Sequence, residues 1–135
     1  SPMIDDEINL LIVMNQPSMD MFLPKLKENG VLLYDSSVIA PPQCSPDKMV
    51  FAIDASDIAN HIGSIKYANS VILGALALAL EDYFLEGEDK QDFDAVFEEA
   101  IMERFSRKQE VIDLNIKAFR AGKEAVRETF SHRKQ

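Results

Sequence analysis

A chain of 135 residues, 47% of them hydrophobic, is long enough to form one domain with a real core. Its 23 acidic side chains outnumber 14 basic ones, and a net charge of −9 with a pI near 4.6 argues against a nucleic-acid groove, which needs clustered Lys and Arg. A single cysteine, Cys44, excludes an internal disulfide and an iron–sulfur cluster held by four thiolates of this chain. With no charged-then-apolar leader or lipidation signal in view, a reducing cytoplasm is the expected compartment.

In chain order, Ile8 to Met14 is a short apolar run between Asp5-Asp6-Glu7 and Asn15-Gln16-Pro17. Its length and branched side chains predict a strand buried on both faces, as in a parallel sheet. Met19, Phe22, Leu23 and Leu26 then fall at helical spacing, with Ser18 or Asn15 as cap, a kink or restart at Pro24, and Asn29-Gly30 as the stop. Val31 to Tyr34 predicts a second strand, ending at Asp35-Ser36-Ser37. The three prolines between Ala40 and Lys48 predict an irregular loop. Met49 to Ile53 reads as a third strand ending at Asp54, followed by a helix capped by Ser56, with Ile58, Ala59 and Ile62 on its apolar face.

From Val71 to Leu80 no side chain is polar. Alanine and leucine favour helix, and the missing polar stripe predicts burial on most sides, against a sheet, other helices or a second subunit. The run is too short to span a membrane, which takes about 20 apolar residues. Gly74, Ala75, Ala77 and Ala79 would let neighbouring backbones approach closely. Past the acidic stretch Glu86-Gly87-Glu88-Asp89, the residues Phe93, Val96, Phe97, Ala100, Ile101 and Phe105 predict an amphipathic helix capped by Asp92 and ending in Arg104 and Arg107. In the last helix Val111, Leu114, Ala118 and Ala125 share a stripe beside Ile112, Ile116 and Phe119. Asn115 lies near that face and calls for a hydrogen-bond partner. Gly122 reads as an interruption, and Ser131 to Gln135 as a frayed tail.

This alternation predicts an α/β fold: a three-layer, mostly parallel sheet with flanking helices and a helical C-terminal segment. Residues 1–135 read as a single domain, of which 86–135 is the helical C-terminal part. In such sheets ligands bind beyond the carboxyl ends of the strands, where Asn15-Gln16, Asp35-Ser36-Ser37 and Asp54 fall. The same residue types also collect there as caps and turns. No glycine-rich dinucleotide fingerprint or Walker loop occurs, which disfavours a nicotinamide dehydrogenase. His61 follows Asp57 by one helical turn and has no nucleophile at a matching position, so no catalytic residue and no metal ligand set is assigned.

Several stretches, in order, resemble the gamma subunit (or gamma-type domain) of 2-oxoacid:ferredoxin (acceptor) oxidoreductases, the pyruvate/2-oxoglutarate ferredoxin oxidoreductase family. They are Leu11-Ile12-Val13-Met14-Asn15-Gln16, Leu23-Pro24-Lys25-Leu26-Lys27 and Gly30 to Ser37, then Ala52 to Ala59, Ala68-Asn69 and Leu73-Gly74-Ala75-Leu76. Ile101-Met102-Glu103-Arg104-Phe105 and Asn115 to Gly122 complete the set. The resemblance implies part of a complex that oxidatively decarboxylates a 2-oxoacid to an acyl-CoA, with 2-oxoglutarate favoured, then pyruvate. Electrons would pass to ferredoxin or a similar acceptor. Thiamine diphosphate and iron–sulfur clusters would belong to sister subunits, with none held by this chain alone, while the gamma-type domain helps to position coenzyme A and to join subunits. The implied partners are those subunits, with a homo-oligomer as a further possibility.

Asn15, Gln16, Asp35, Ser36, Ser37 and Asn69 are the candidate ligand-rim residues. The family's opening strand and glycine-rich loop have no counterpart ahead of Ser1-Pro2, so the chain reads as N-terminally incomplete. At the family's Pro-Ala-Thr cap this chain has Asp54-Ala55-Ser56, which places a carboxylate on the rim. The competing reading is a stand-alone α/β ligand-binding or assembly module without redox activity.

Overall fold

The computed structural model describes residues 8–79, 81, 93–105 and 108–134, with side chains from 95 onward in the third stretch and up to 127 in the last. The expected clusters Asp5-Asp6-Glu7 and Glu86 to Asp89, the Asp92 cap, Arg107 and Leu80 lie outside the described residues. The chain divides into two compact units at Asp54/Ala55.

The first unit is built on β1 (Ile8–Val13), α1 (Gln16–Phe22), β2 (Leu26–Asp35) and β3 (Met49–Ile53). The three strands form one sheet in the order β1-β2-β3, with both pairings parallel. The register sets Leu11 beside Leu32 and Val50, and Val13 beside Tyr34 and Ala52. Because side chains alternate across a strand, these residues share one face. Met19, Phe22 and Leu23 pack on that face with Leu11, Val13, Leu32 and Tyr34, and Ile39 completes the cluster. Leu32 and Leu33, which point to opposite faces of β2, are both fully buried, as expected of a central parallel strand.

The helix expected to reach Leu26 stops at Phe22. Asn15 caps its start, accepting the Ser18 N–H at Oδ1 (2.8 Å), and Pro17 occupies the first turn. Pro24 then restarts the chain as a single 3₁₀ turn, Leu23–Lys25. Leu26 opens β2 instead of closing α1, because its buried side chain belongs to the sheet cluster. Asn29, with φ of 60°, takes the left-handed conformation, but within β2 and not at a helix end. There it forms a bulge: pairing passes from Ile8↔Leu26 to Leu10↔Val31, so β2 carries more residues than β1 over the same span. Asp47 Oδ2 accepts the Asn29 N–H (2.7 Å), and Lys48 Nζ donates to the Lys27 carbonyl (2.8 Å) and to Asp47 (3.1 Å).

The second unit holds α2 (Ala55–Ile62), a 3₁₀ turn (Ile65–Tyr67), α3 (Ala68–Ala79), α4 (Phe93–Arg104) and α5 (Gln109–Lys134). Ser56 lies inside the first turn of α2, so Asp54 precedes the helix where Ser56 was expected to cap it. In α3, Val71, Ala75, Ala77 and Ala79 are almost wholly buried, as the apolar run predicts, whereas Leu76 is half-buried.

α3 and α5 meet backbone to backbone. A Cβ on Gly74 would run into the Phe119 carbonyl oxygen, and one on Gly122 into the Val71 carbonyl oxygen. Gly122 therefore does not interrupt α5; its missing side chain is what lets the two helices touch. The buried stripe of α5 is Ile112, Asn115, Ala118, Phe119 and Val126, displaced from the expected Val111, Leu114 and Ala125, because Gly122 sets the facing side. The helix continues to Lys134, where Ser131 onward was expected to fray.

Phe97 and Ile101 on α4, with Phe105 just past its end, pack with Ala77, Phe119 and Leu73. Rings of Phe97 and Phe119 lie 5.7 Å apart. Val96, expected on this stripe, is 56% exposed, since it sits one position away from the i, i+4, i+8 line. Arg120 grips Glu98 with two hydrogen bonds, Nε to Oε2 (3.1 Å) and Nη2 to Oε1 (2.9 Å), tying α5 to α4. No helix among the described residues is long and apolar enough to cross a membrane.

Candidate functional site

The parallel register brings the carboxyl ends of β1, β2 and β3 to one end of the sheet, and five of the six rim candidates collect there. Asn15 and Gln16 follow β1, while Asp35, Ser36 and Ser37 close β2. The loops are laced together. The Ser36 N–H donates to the Ile53 carbonyl at the end of β3 (2.9 Å), and the Ala40 N–H donates to Gln16 Oε1 (3.3 Å). Gln16 Nε2 in turn donates to Asp20 Oδ1 (3.0 Å).

Much of this polarity serves the backbone. Asn15 is the cap of α1. Asp35, fully buried, accepts the Ser37 N–H at Oδ1 (3.1 Å), and its carbonyl accepts the N–H groups of Val38 and Ile39. This turn drives Ile39 into the apolar cluster. The exposed Asn15 and Gln16 and the half-buried Ser36 and Ser37 form the part of the rim that meets solvent. A cleft of about 320 Å³ opens beside Gln16, walled by Leu23, Pro24, Pro41 and Pro42.

The rim contains amides, hydroxyls, the buried carboxylate of Asp35 and the exposed carboxylate of Asp54 just after β3, and neither Lys nor Arg. Such a set can donate to and accept from neutral amide and hydroxyl groups, but it does not fit a diphosphate, which needs cations or a nest of N–H groups. An iron–sulfur cluster does not fit this chain either, because Cys44 is its single thiol. Among the described residues no three His, Cys, Asp or Glu side chains gather as a metal site.

The sixth candidate, Asn69, belongs to the second unit. It is exposed on the first turn of α3 and lines a cleft of about 370 Å³ in that unit. Beneath it, Ser70 Oγ donates to Asn115 Oδ1 (2.6 Å), and Asn115 Nδ2 donates to the Val111 carbonyl (2.8 Å), the satisfaction that a polar residue on the buried face of α5 requires.

Among the described residues, two groups show displaced ionisation. Burial pushes the Tyr34 phenol up, with a smaller contribution from Cys44 nearby. The Ser45 hydroxyl, the Asn29 N–H and the Lys48 ammonium hold the Asp47 carboxyl well below the usual carboxylate range. Neither belongs to the rim. The Asp47–Lys48 clamp escaped the sequence reading, although the Asn29-Gly30 pair signals a left-handed residue whose free N–H needs an acceptor.

Residues 1–125 match the family model described as pyruvate ferredoxin/flavodoxin oxidoreductase. Over 128 residues the chain is 34% identical to ketoisovalerate oxidoreductase subunit VorA of Methanothermobacter thermautotrophicus, covering 95% of this chain and 24% of that protein. The chain thus spans about a quarter of the curated relatives it matches. Among solved structures, the gamma subunit of a keto/oxoacid ferredoxin oxidoreductase from Geobacter sulfurreducens superposes with a TM-score of 0.70 at 27% identity, over 87% of this chain and 63% of that one. The 2-oxoglutarate:ferredoxin oxidoreductase of Magnetococcus marinus, solved with 2-oxoglutarate, coenzyme A and succinyl-CoA bound, gives 0.72 at 21% identity, over 90% of this chain and 20% of that one. At that identity the likeness speaks for the fold alone. With a family match over nearly its whole length and a parallel sheet that superposes on a gamma subunit, the chain belongs to the pyruvate ferredoxin/flavodoxin oxidoreductase family.

Proposed function

We propose that this chain is the gamma-type part of a 2-oxoacid oxidoreductase, in which sister subunits or domains carry the thiamine diphosphate and the iron–sulfur clusters. The assembled enzyme converts a 2-oxoacid and coenzyme A to an acyl-CoA and passes electrons to ferredoxin or a similar acceptor. The role of this chain is to join its partners and to hold the neutral, amide-rich arm of coenzyme A at the strand-end rim. The observation that carries this reading is the rim itself: Asn15, Gln16, Ser36 and Ser37 lie together at the carboxyl end of a parallel sheet and offer neutral donors and acceptors without a cation. The phosphates of coenzyme A would then be held elsewhere in the assembly. Among substrates, 2-oxoglutarate and the branched-chain acid ketoisovalerate each have a relative named for them, and pyruvate names the family.

Ser37→Ala in the assembled enzyme tests the rim. The expected result is a raised KM for coenzyme A, with the 2-oxoacid KM and the melting temperature little changed. Equal losses of stability and of activity toward both substrates would reduce the rim to caps and turns.

A further inference from the structure

We propose that the cleft of the second unit binds a small organic carboxylate with an apolar body, a role independent of the proposed redox function. The cleft, about 370 Å³, falls in the size range of small-molecule sites. Leu73, Phe97 and Phe105 line it and remain half-buried, so apolar and aromatic surface stays open to a ligand. Lys66 and Arg104 line it as well, both exposed, together with the exposed amide of Asn69.

The charge of this lining runs against the rest of the chain. Acidic side chains outnumber basic ones by 23 to 14 overall, yet among the described residues the lining of the cleft has two cations and no carboxylate. Two cations beside an apolar floor match a ligand with one anionic group and a hydrophobic remainder. A polyphosphate suits the site poorly, since a net charge of −9 repels a polyanion and the apolar floor gives its oxygens no partners. The buried Ser70–Asn115 hydrogen bond holds α3 and α5 together beside the cleft, and the Arg120–Glu98 bonds tie α4, the other wall, to α5, which favours a site formed before a ligand arrives.

Phenylacetate is a suitable probe, titrated into the isotopically labelled full-length protein and followed by amide chemical shifts, with benzyl alcohol and inorganic phosphate as controls. The expected result is saturable binding of phenylacetate that moves the side-chain amide of Asn69 and the backbone amides of Ala100 and Phe105. Benzyl alcohol and phosphate should each bind more weakly. Lys66→Gln and Arg104→Gln, exposed changes that should leave the remaining spectrum in place, should each weaken phenylacetate by roughly threefold to tenfold. The proposal is overturned if phenylacetate produces no saturable shift at the cleft, if benzyl alcohol or phosphate binds equally well there, or if both variants retain full affinity.

Discussion

At the scale of single residues, the Asp47 clamp makes a pH prediction whose sign follows from its cause. The folded carboxyl is held below its usual value by the Ser45, Asn29 and Lys48 contacts, so the clamp is fully present above the ordinary carboxylate pKa of about 3.9. It is lost only as pH falls through the depressed folded value. Hydrogen exchange at the Asn29 amide should therefore stay protected near neutrality and open in strong acid. Asp47→Asn should expose the same amide at pH 7, whereas unchanged protection in that variant would contradict the assignment.

Lys123 Nζ and Glu81 Oε2 form an ion pair at 3.0 Å without an aligned hydrogen bond, with side chains only 11% and 15% exposed. Removing one partner of a buried pair leaves the other uncompensated, so Lys123→Met should destabilise by about 3–5 kcal/mol in a denaturant titration. Adding Glu81→Leu should recover most of that loss. No such recovery would show that the pair is not coupled.

At the scale of elements, the α3–α5 contact decides between two opposed effects. Alanine is the better helix former by about 1 kcal/mol, which would favour Gly74→Ala or Gly122→Ala in an isolated helix. In the fold, each new Cβ meets a backbone carbonyl that cannot rotate away, so the helices must separate. Both variants should lose about 1–3 kcal/mol or more, in spite of the propensity gain. Thermal melts no lower than the parent would refute the contact. Leucine truncations should separate likewise: Leu78→Ala, in the core, should lose about 2–5 kcal/mol, and the half-buried Leu76→Ala clearly less.

The strands and the buried helix were legible because continuous apolar runs of four to ten residues leave few alternatives. The boundary at Leu26 was not, since its spacing from Met19 suits a helix and only the sheet cluster claims it as strand. Gly122 misled for a related reason: a glycine in a helix reads as a break unless the facing backbone is known. The strand-end rim was foreseeable from topology, because parallel strands place their exits together. The cleft was not, because it joins Asn69 and Lys66 to Phe97, Arg104 and Phe105, residues whose adjacency depends on how α4 packs.

At the scale of the whole molecule, a chain that spans about a quarter of its curated relatives acts within a larger assembly in the proposed account. The measurement that bears most directly on this is isolation of the tagged full-length protein from its own cells, followed by mass analysis, cofactor analysis and assay. The account predicts that thiamine diphosphate and iron–sulfur clusters accompany it, and that the isolate reduces a low-potential acceptor only when a 2-oxoacid and coenzyme A are both supplied. Recovery of the protein by itself, without either cofactor and without that activity, would contradict the account and favour a stand-alone binding module.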